Sequence, residues 1–241
     1  MGSLELRWFD EITDKRMLVY APHADDEVLG AGGLLAVAAR AGWETHVHFA
    51  TVSGYFSESK AEVSQSSTRM QEATSALQTL NCAGHEVLFE GEEKHLRLDT
   101  VPQAELIDFI DRGLKRIRPS IVVFPCRGHY HQDHIALANA VVSAMRPAPQ
   151  GSRPLVPAVF AYGHAHGGWG GEHYLFRPSV FVDITSVIDI KLNALACYAS
   201  QVCDEPHPRS LSMVRDQAGA WGAYAGVRYA EAFECHRLLL A

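Results

Sequence analysis

The segment Ser120–Pro125 (SIVVFP) carries no polar side chain from Ile121 onward. A strand of that kind has no face for water, so helices must cover both sides of its sheet. Other segments suit the same sheet. Arg16–Ala21 (RMLVYA) is a short apolar run that stops at Pro22, and Thr45–Val52 (THVHFATV) alternates and is β-branched. Glu86–Phe89, Ala158–Tyr162 and Val180–Ile184 read as further strands. Helical stretches fall between them. Glu27–Ala41 is rich in Ala, Leu and Val and closes at Gly42; Val101–Ile117 places Ile107, Ile110, Leu114 and Ile117 on one face. Glu62–Leu80, His134–Met145, Val187–Gln201 and Leu211–Ala225 are also predicted helical. Gly54–Lys60, Pro147–Pro157 and the Gly- and His-rich Gly163–His173 read as loops, and Glu231–Leu240 as a mixed end.

This alternation predicts a Rossmann-like α/β fold. The sheet is mainly parallel, with its first five strands in the order 3-2-1-4-5 and further C-terminal strands, and helices lie on both faces. The 241 residues fit a single domain spanning 1–241. A formal net charge of −7 argues against a nucleic-acid partner. No apolar run approaches a membrane span, so no membrane partner is expected. Five cysteines, an odd count with no CxxC pair, point to reduced thiols. The first ten residues lack a signal-peptide pattern. A cytoplasmic protein is the resulting expectation, and a homo-oligomer is compatible with it.

The predicted strand order gives the chemistry a location. In such a sheet the carboxyl ends of the first and fourth strands flank the switch point where ligands bind. The first strand runs directly into Pro22-His23-Ala24-Asp25-Asp26-Glu27; the fourth leads through Cys126–Tyr130 to His131-Gln132-Asp133-His134. His and Asp are good zinc ligands, and a catalytic zinc usually keeps three protein ligands and an open position for water. A carboxylate beside it can take a proton, and a second histidine can stabilise an oxyanion.

These residues also carry a resemblance. Pro22–Glu27 with Gly30, Gly32 and Gly33 resembles the PHPDDE-x-x-x-G-G signature of the PIG-L (LmbE-like) deacetylases, and His131–His134 resembles their H-x-D-H motif. Arg69-x-x-Glu72 with Ala76 and Leu80 is similar to their central helix, and Phe181–Ile184 with Lys191, Ala194 and Ser200-Gln201 to a later segment. The resemblance implies that His23, Asp26 and His134 bind Zn2+, with Fe2+, Co2+ or Mn2+ able to replace it. It implies Asp25 as general base, His131 as stabiliser of the oxyanion, and Asp133 as the group that orients a histidine. The implied reaction is hydrolysis of an N-acyl amide, acetyl in the family, on a small amino-sugar-like substrate. Three departures stand out: Ala24 replaces the usual proline, Tyr55 a common acidic residue, and Tyr198 a common histidine.

Each residue also has a plainer reading. Asp25 or Asp26 could cap the helix that follows. His131 or His134 could simply start one. The three glycines suit close helix–sheet packing better than a phosphate loop, because acidic residues precede them. Arg69 binds a substrate phosphate or carboxylate, or pairs with Glu72 one turn away. Tyr55, His164 and His166 are candidate cleft residues; a mobile surface loop is an equal alternative for the two histidines. His46 and His48 read as structural. Hydrolysis of another amide or a carbamoyl bond, and a non-catalytic metal- or sugar-binding module, remain as alternatives.

Overall fold

The computed structural model describes residues 9, 12–57, 62–91, 94, 96–147, 149, 153–164 and 175–239. Nine strands and six helices of at least two turns are placed among these residues. The strands are β1 (Arg16–Ala21), β2 (Glu44–Val52), β3 (Tyr55–Ser57), β4 (Glu62–Ser64), β5 (Gly84–Glu90), β6 (Ile121–Pro125), β7 (Ala158–Tyr162), β8 (Val180–Asp183) and β9 (Ala230–Leu238). The helices are α1 (Asp26–Arg40), α2 (Ser66–Thr79), α3 (Gln103–Ile117), α4 (Gln132–Ala144), α5 (Ile188–Ala196) and α6 (Leu211–Ala225).

The main sheet runs β5-β2-β1-β6-β7-β9-β8. Its first five strands are parallel and hold the expected 3-2-1-4-5 order. Period-two alternation divides their side chains between two cores. Met17, Val19 and Ala21 of β1 join Val123 of β6 and Leu35, Leu77 and Leu195 of α1, α2 and α5. Leu18 and Tyr20 face the other way, against Phe109 and Ile110 of α3 and Leu137 and Val141 of α4. Gly30 packs where a Cβ would lie 2.2 Å from the Tyr162 ring, so the glycine lets α1 press onto the sheet.

The far edge departs from the sequence reading. Where a mixed end was expected over Glu231–Leu240, Ala230–Leu238 is a strand inserted antiparallel between β7 and β8. Its buried Glu231 accepts hydrogen bonds at 2.7 Å from the amides of Gly33 and Leu34, and at 2.6 Å from Lys191. Lys191 also donates to the Leu29 carbonyl at 2.9 Å. This buried pair therefore ties β9 and α5 to α1. The region before α2 differs as well: Tyr55–Ser57 pairs antiparallel with Glu62–Ser64, so α2 starts at Ser66 instead of Glu62. The apolar pattern around Val63 carries no mark of a strand that short. Helix α5 ends at Ala196, and the chain to Ser210 becomes a connecting segment that reaches the cavity described next. No helix among the described residues is long and apolar enough to cross a membrane.

Candidate active site

The ends of β1 and β6 open into a cavity of about 520 Å³. Both His/Asp segments line it, as the strand order predicts. His23 Nδ1 lies 3.1 Å and His134 Nε2 3.4 Å from the same oxygen of Asp26, Oδ2. One ligand atom from each of the three residues falls within 4.8 Å of the other two. His23, His131 and Asp133 form a second group by the same measure. Asp133, however, has both oxygens engaged: Oδ1 accepts from the Leu98 amide at 3.0 Å and Oδ2 lies 2.9 Å from His23 Nε2. It is fully buried and suited to orienting His23.

The ionisation states favour a cation between the first three. Burial opposes charge on His23, yet hydrogen bonds to Asp133 and Asp26 raise it to about 9. Nε2 faces Asp133 and Nδ1 faces Asp26, so the proton on Nδ1 occupies the position a metal ion would take. Burial would raise Asp26, but His134, His23 and His164 hold it well below the usual carboxylate range. Burial lowers His134, leaving a neutral imidazole as metal binding requires. Once an ion displaces the His23 proton, two imidazoles and a carboxylate with one side open to a cavity fit zinc or a similar divalent ion.

Asp25 and Asp26 divide the work that adjacent carboxylates could share. Asp25 sits at φ 123°, an unusual conformation for a residue with a side chain, and makes no side-chain cap to α1. The turn is held from behind. Glu27, with no exposed surface, accepts the Asp25 amide at 3.0 Å and the Tyr198 hydroxyl on its other oxygen. The Asp25 carboxylate is thereby turned into the cavity beside Arg69 and Arg209. Burial raises it to about 6, with Arg69 the main opposing influence. Burial likewise pushes Glu27 up to about 8, opposed by Tyr198 and the Asp25 amide.

His131 is both helix cap and functional candidate. Its Nδ1 accepts the Asp133 amide at 3.1 Å. In the neutral ring the proton must then reside on Nε2, leaving a donor there. His129 follows the same rule, accepting the His131 amide at 3.1 Å, and its ring stacks 4.0 Å from that of His134. His164 also lines the cavity, with Nδ1 3.6 Å from Asp26 Oδ1 and its ring stacked on Tyr162. His166 lies outside the described residues, as does the side chain of Tyr55. His46 and His48 lie away from the cavity on β2, where His48 is fully buried.

The facing wall comes from α2 and the segment between α5 and α6. Arg69 is buried and donates to the Ala24 carbonyl, holding the turn that precedes Asp25. It does not pair with Glu72, whose oxygens accept from the Ser200 amide at 2.7 Å and the Ser200 hydroxyl at 2.6 Å. Gln201 donates to that hydroxyl at 3.0 Å and accepts from Arg209 at 3.2 Å. Arg209 lies 3.7 Å from Asp25 Oδ2. His207, Arg209, His129 and the buttress role of Glu27 escape a sequence reading. The first two stand in a connecting segment with no periodicity, and only Ser200-Gln201 carried a motif signal.

The family model described as PIG-L, GlcNAc-PI de-N-acetylase, matches residues 18–145, more than half of the chain and both His/Asp segments. The chain belongs to the PIG-L family. Among curated relatives, the diacetylchitobiose deacetylase of Thermococcus kodakarensis is 24% identical, with 96% of this chain and 87% of that protein covered. The 4-oxalmesaconate hydratase of Pseudomonas putida is 29% identical over 78% of this chain and 74% of its own length. The crystal structure of a conserved protein from Thermus thermophilus superimposes with a TM-score of 0.73 at 30% identity, covering 93% of this chain and 96% of that one. These relatives thus carry names for two kinds of reaction, deacetylation and hydration.

Proposed function

We propose that this PIG-L protein is a metal-dependent hydrolase that removes an N-acyl group, acetyl in the first instance, from an amino-sugar substrate. The observation that carries this reading is the convergence of His23 and His134 on one oxygen of Asp26, with Asp25 and His131 at the same cavity. His23, Asp26 and His134 would hold the ion, zinc by preference. When bound, it would supply Lewis acidity and make a coordinated water acidic near neutral pH. Asp25, raised toward neutrality by burial, takes a proton from the attacking water. His131 donates from Nε2 to the acyl oxygen as the carbon becomes tetrahedral. Asp25 then returns the proton to the departing nitrogen, and acid and free amine leave. Asp133 acts behind His23, fixing its ring.

The test pairs metal analysis with an amine-release assay on N-acetylglucosamine and N,N'-diacetylchitobiose. One equivalent of zinc, lost in Asp26→Ala together with amine release, is expected. Full metal retention in Asp26→Ala removes that ligand assignment. A second reading, addition of water to a carbon–carbon double bond, is favoured by the hydratase relative. Absence of amine release, with hydration of an unsaturated tricarboxylate such as 4-oxalmesaconate, would establish it instead.

A further inference from the structure

The two histidines proposed as ligands are held in different ways. His23 presents Nδ1 to Asp26 and has its other nitrogen, Nε2, 2.9 Å from Asp133. A metal-bound histidine usually gives its second nitrogen such a partner. His134 departs from that pattern. Its Nε2 lies toward Asp26, but its buried Nδ1 finds no hydrogen-bond partner among the described residues. What lies against the His134 ring is another ring. His129 packs face to face on it, with centroids 4.0 Å apart and planes 11° from parallel. Both residues are buried, at 2% and 4% exposure. His129 is anchored in turn, because its Nδ1 accepts the His131 amide at 3.1 Å. A nitrogen that accepts carries no proton, so the His129 ring is neutral. A neutral ring stacks on an imidazole polarised by a cation without charge repulsion. The rings of His23, His131 and His164 meet His134 at 50°, 50° and 82°, so none of them holds its plane by stacking.

We propose that His129 is a positioning residue that serves two groups of the site at once. Its face fixes the His134 ring where a hydrogen bond would ordinarily do so. Its Nδ1 fixes the backbone from which His131 projects. Rotation of the His134 ring about its Cβ–Cγ bond would turn the Nε2 lone pair away from the ion's position, and a flat neighbour resists that rotation. The second role rests on the deacetylase reading, which makes His131 the oxyanion donor; the first needs only the metal site. The two roles use different parts of one side chain, a ring face and a lone pair, so substitutions can separate them.

Two variants of the full chain, loaded with Zn2+ or Co2+, do this. His129→Asn loses the face but keeps an acceptor two residues before the His131 amide, as in an Asx turn. His129→Phe keeps a face and loses the acceptor. Metal affinity, measured by competition with a chelator, should fall about 2–12-fold in His129→Asn, the size of one aromatic stack, and by less than about twofold in His129→Phe. The d–d absorption of the Co2+-loaded protein should change in His129→Asn and persist in His129→Phe. At saturating metal, kcat for amine release should fall about tenfold or more in His129→Phe and by less in His129→Asn, with KM little changed in both. Wild-type metal affinity in His129→Asn, or an equal loss in both variants, overturns the stacking role. A kcat no lower in His129→Phe than in His129→Asn overturns the backbone role. Should phenylalanine be too large for the fold, as circular dichroism would show, His129→Ala takes its place in the kinetic comparison. Its kcat should then lie below that of His129→Asn, and equal values overturn the backbone role. If the wild type releases no amine from any N-acetyl sugar, the deacetylase reading fails and the His131 role with it. The chelator and Co2+ measurements need no turnover, and they still decide the stack.

Discussion

The two walls of the cavity are built by different means. His23, Asp25 and Asp26 leave β1, and His131, Asp133 and His134 follow β6; the sheet itself places them side by side. Arg69, Gln201, His207 and Arg209 come from a helix and a connecting segment, which side-chain hydrogen bonds link to each other. A wall fixed by strand pairing can hold a metal and a base to the tolerance that chemistry needs. One fixed by a chain of polar contacts can change more easily, as specificity requires. Mutations should therefore separate catalysis on the first wall from substrate choice on the second.

The largest effects belong to the sheet-built wall. Asp25→Asn should lower kcat by roughly 10²–10⁴-fold and His131→Ala by about 10²–10³-fold, with metal content unchanged in both. Steady-state kinetics on a responsive N-acetyl sugar, with elemental analysis of the same samples, checks this. Loss of metal in Asp25→Asn would make Asp25 a ligand and leave the cavity without its proposed base.

A smaller effect is expected one layer back. Asp133→Asn keeps the shape that accepts the Leu98 amide but weakens the grip on His23 Nε2. Metal affinity should fall about 10–100-fold, measured by competition with a chelator. An unchanged affinity would mean that the Asp26 contact and packing already fix the His23 ring.

The same division explains what could be read in the sequence. The order of the first five strands followed from apolar strand runs alternating with helices, and that order alone brings His23 and His134 to one crevice. Strand β9 was not legible. Its charged positions, Glu231, Glu234 and Arg237, break the apolar run that marks a buried strand, and Glu231 is buried only because Gly33, Leu34 and Lys191 satisfy it. A polar group whose partners on α1 stand 198 and 197 residues away leaves no local trace. Arg69 was visible as a candidate, but whether it would meet Glu72 or Ala24 depended on Ser200 claiming Glu72. Arg209 had no signal at all, since nothing in the chain from Cys197 to Ser210 repeats.

The smallest predicted effect lies at the seam between the walls, where Tyr198 from the connecting segment meets Glu27 beneath Asp25. Burial raises Glu27 from its ordinary 4.5 to about 8, and the Tyr198 hydroxyl opposes that rise by favouring the carboxylate. A raised acid contributes stability below pH 4.5 that is lost as pH climbs through about 8. Tyr198→Phe removes the hydroxyl and pushes Glu27 higher still, so the variant's deficit must grow with pH. In urea denaturation of the chelator-treated protein, the deficit should be about 1 kcal/mol at pH 5, where Glu27 is protonated in both proteins. Near pH 9 it should reach about 1.5–3 kcal/mol, because the lost contact is then one to a charged group. A deficit that is constant across this range would mean that Glu27 does not change ionisation there. Tyr198 would then join the two walls by packing alone, and the strained turn at Asp25 would owe its support to the Arg69–Ala24 contact instead.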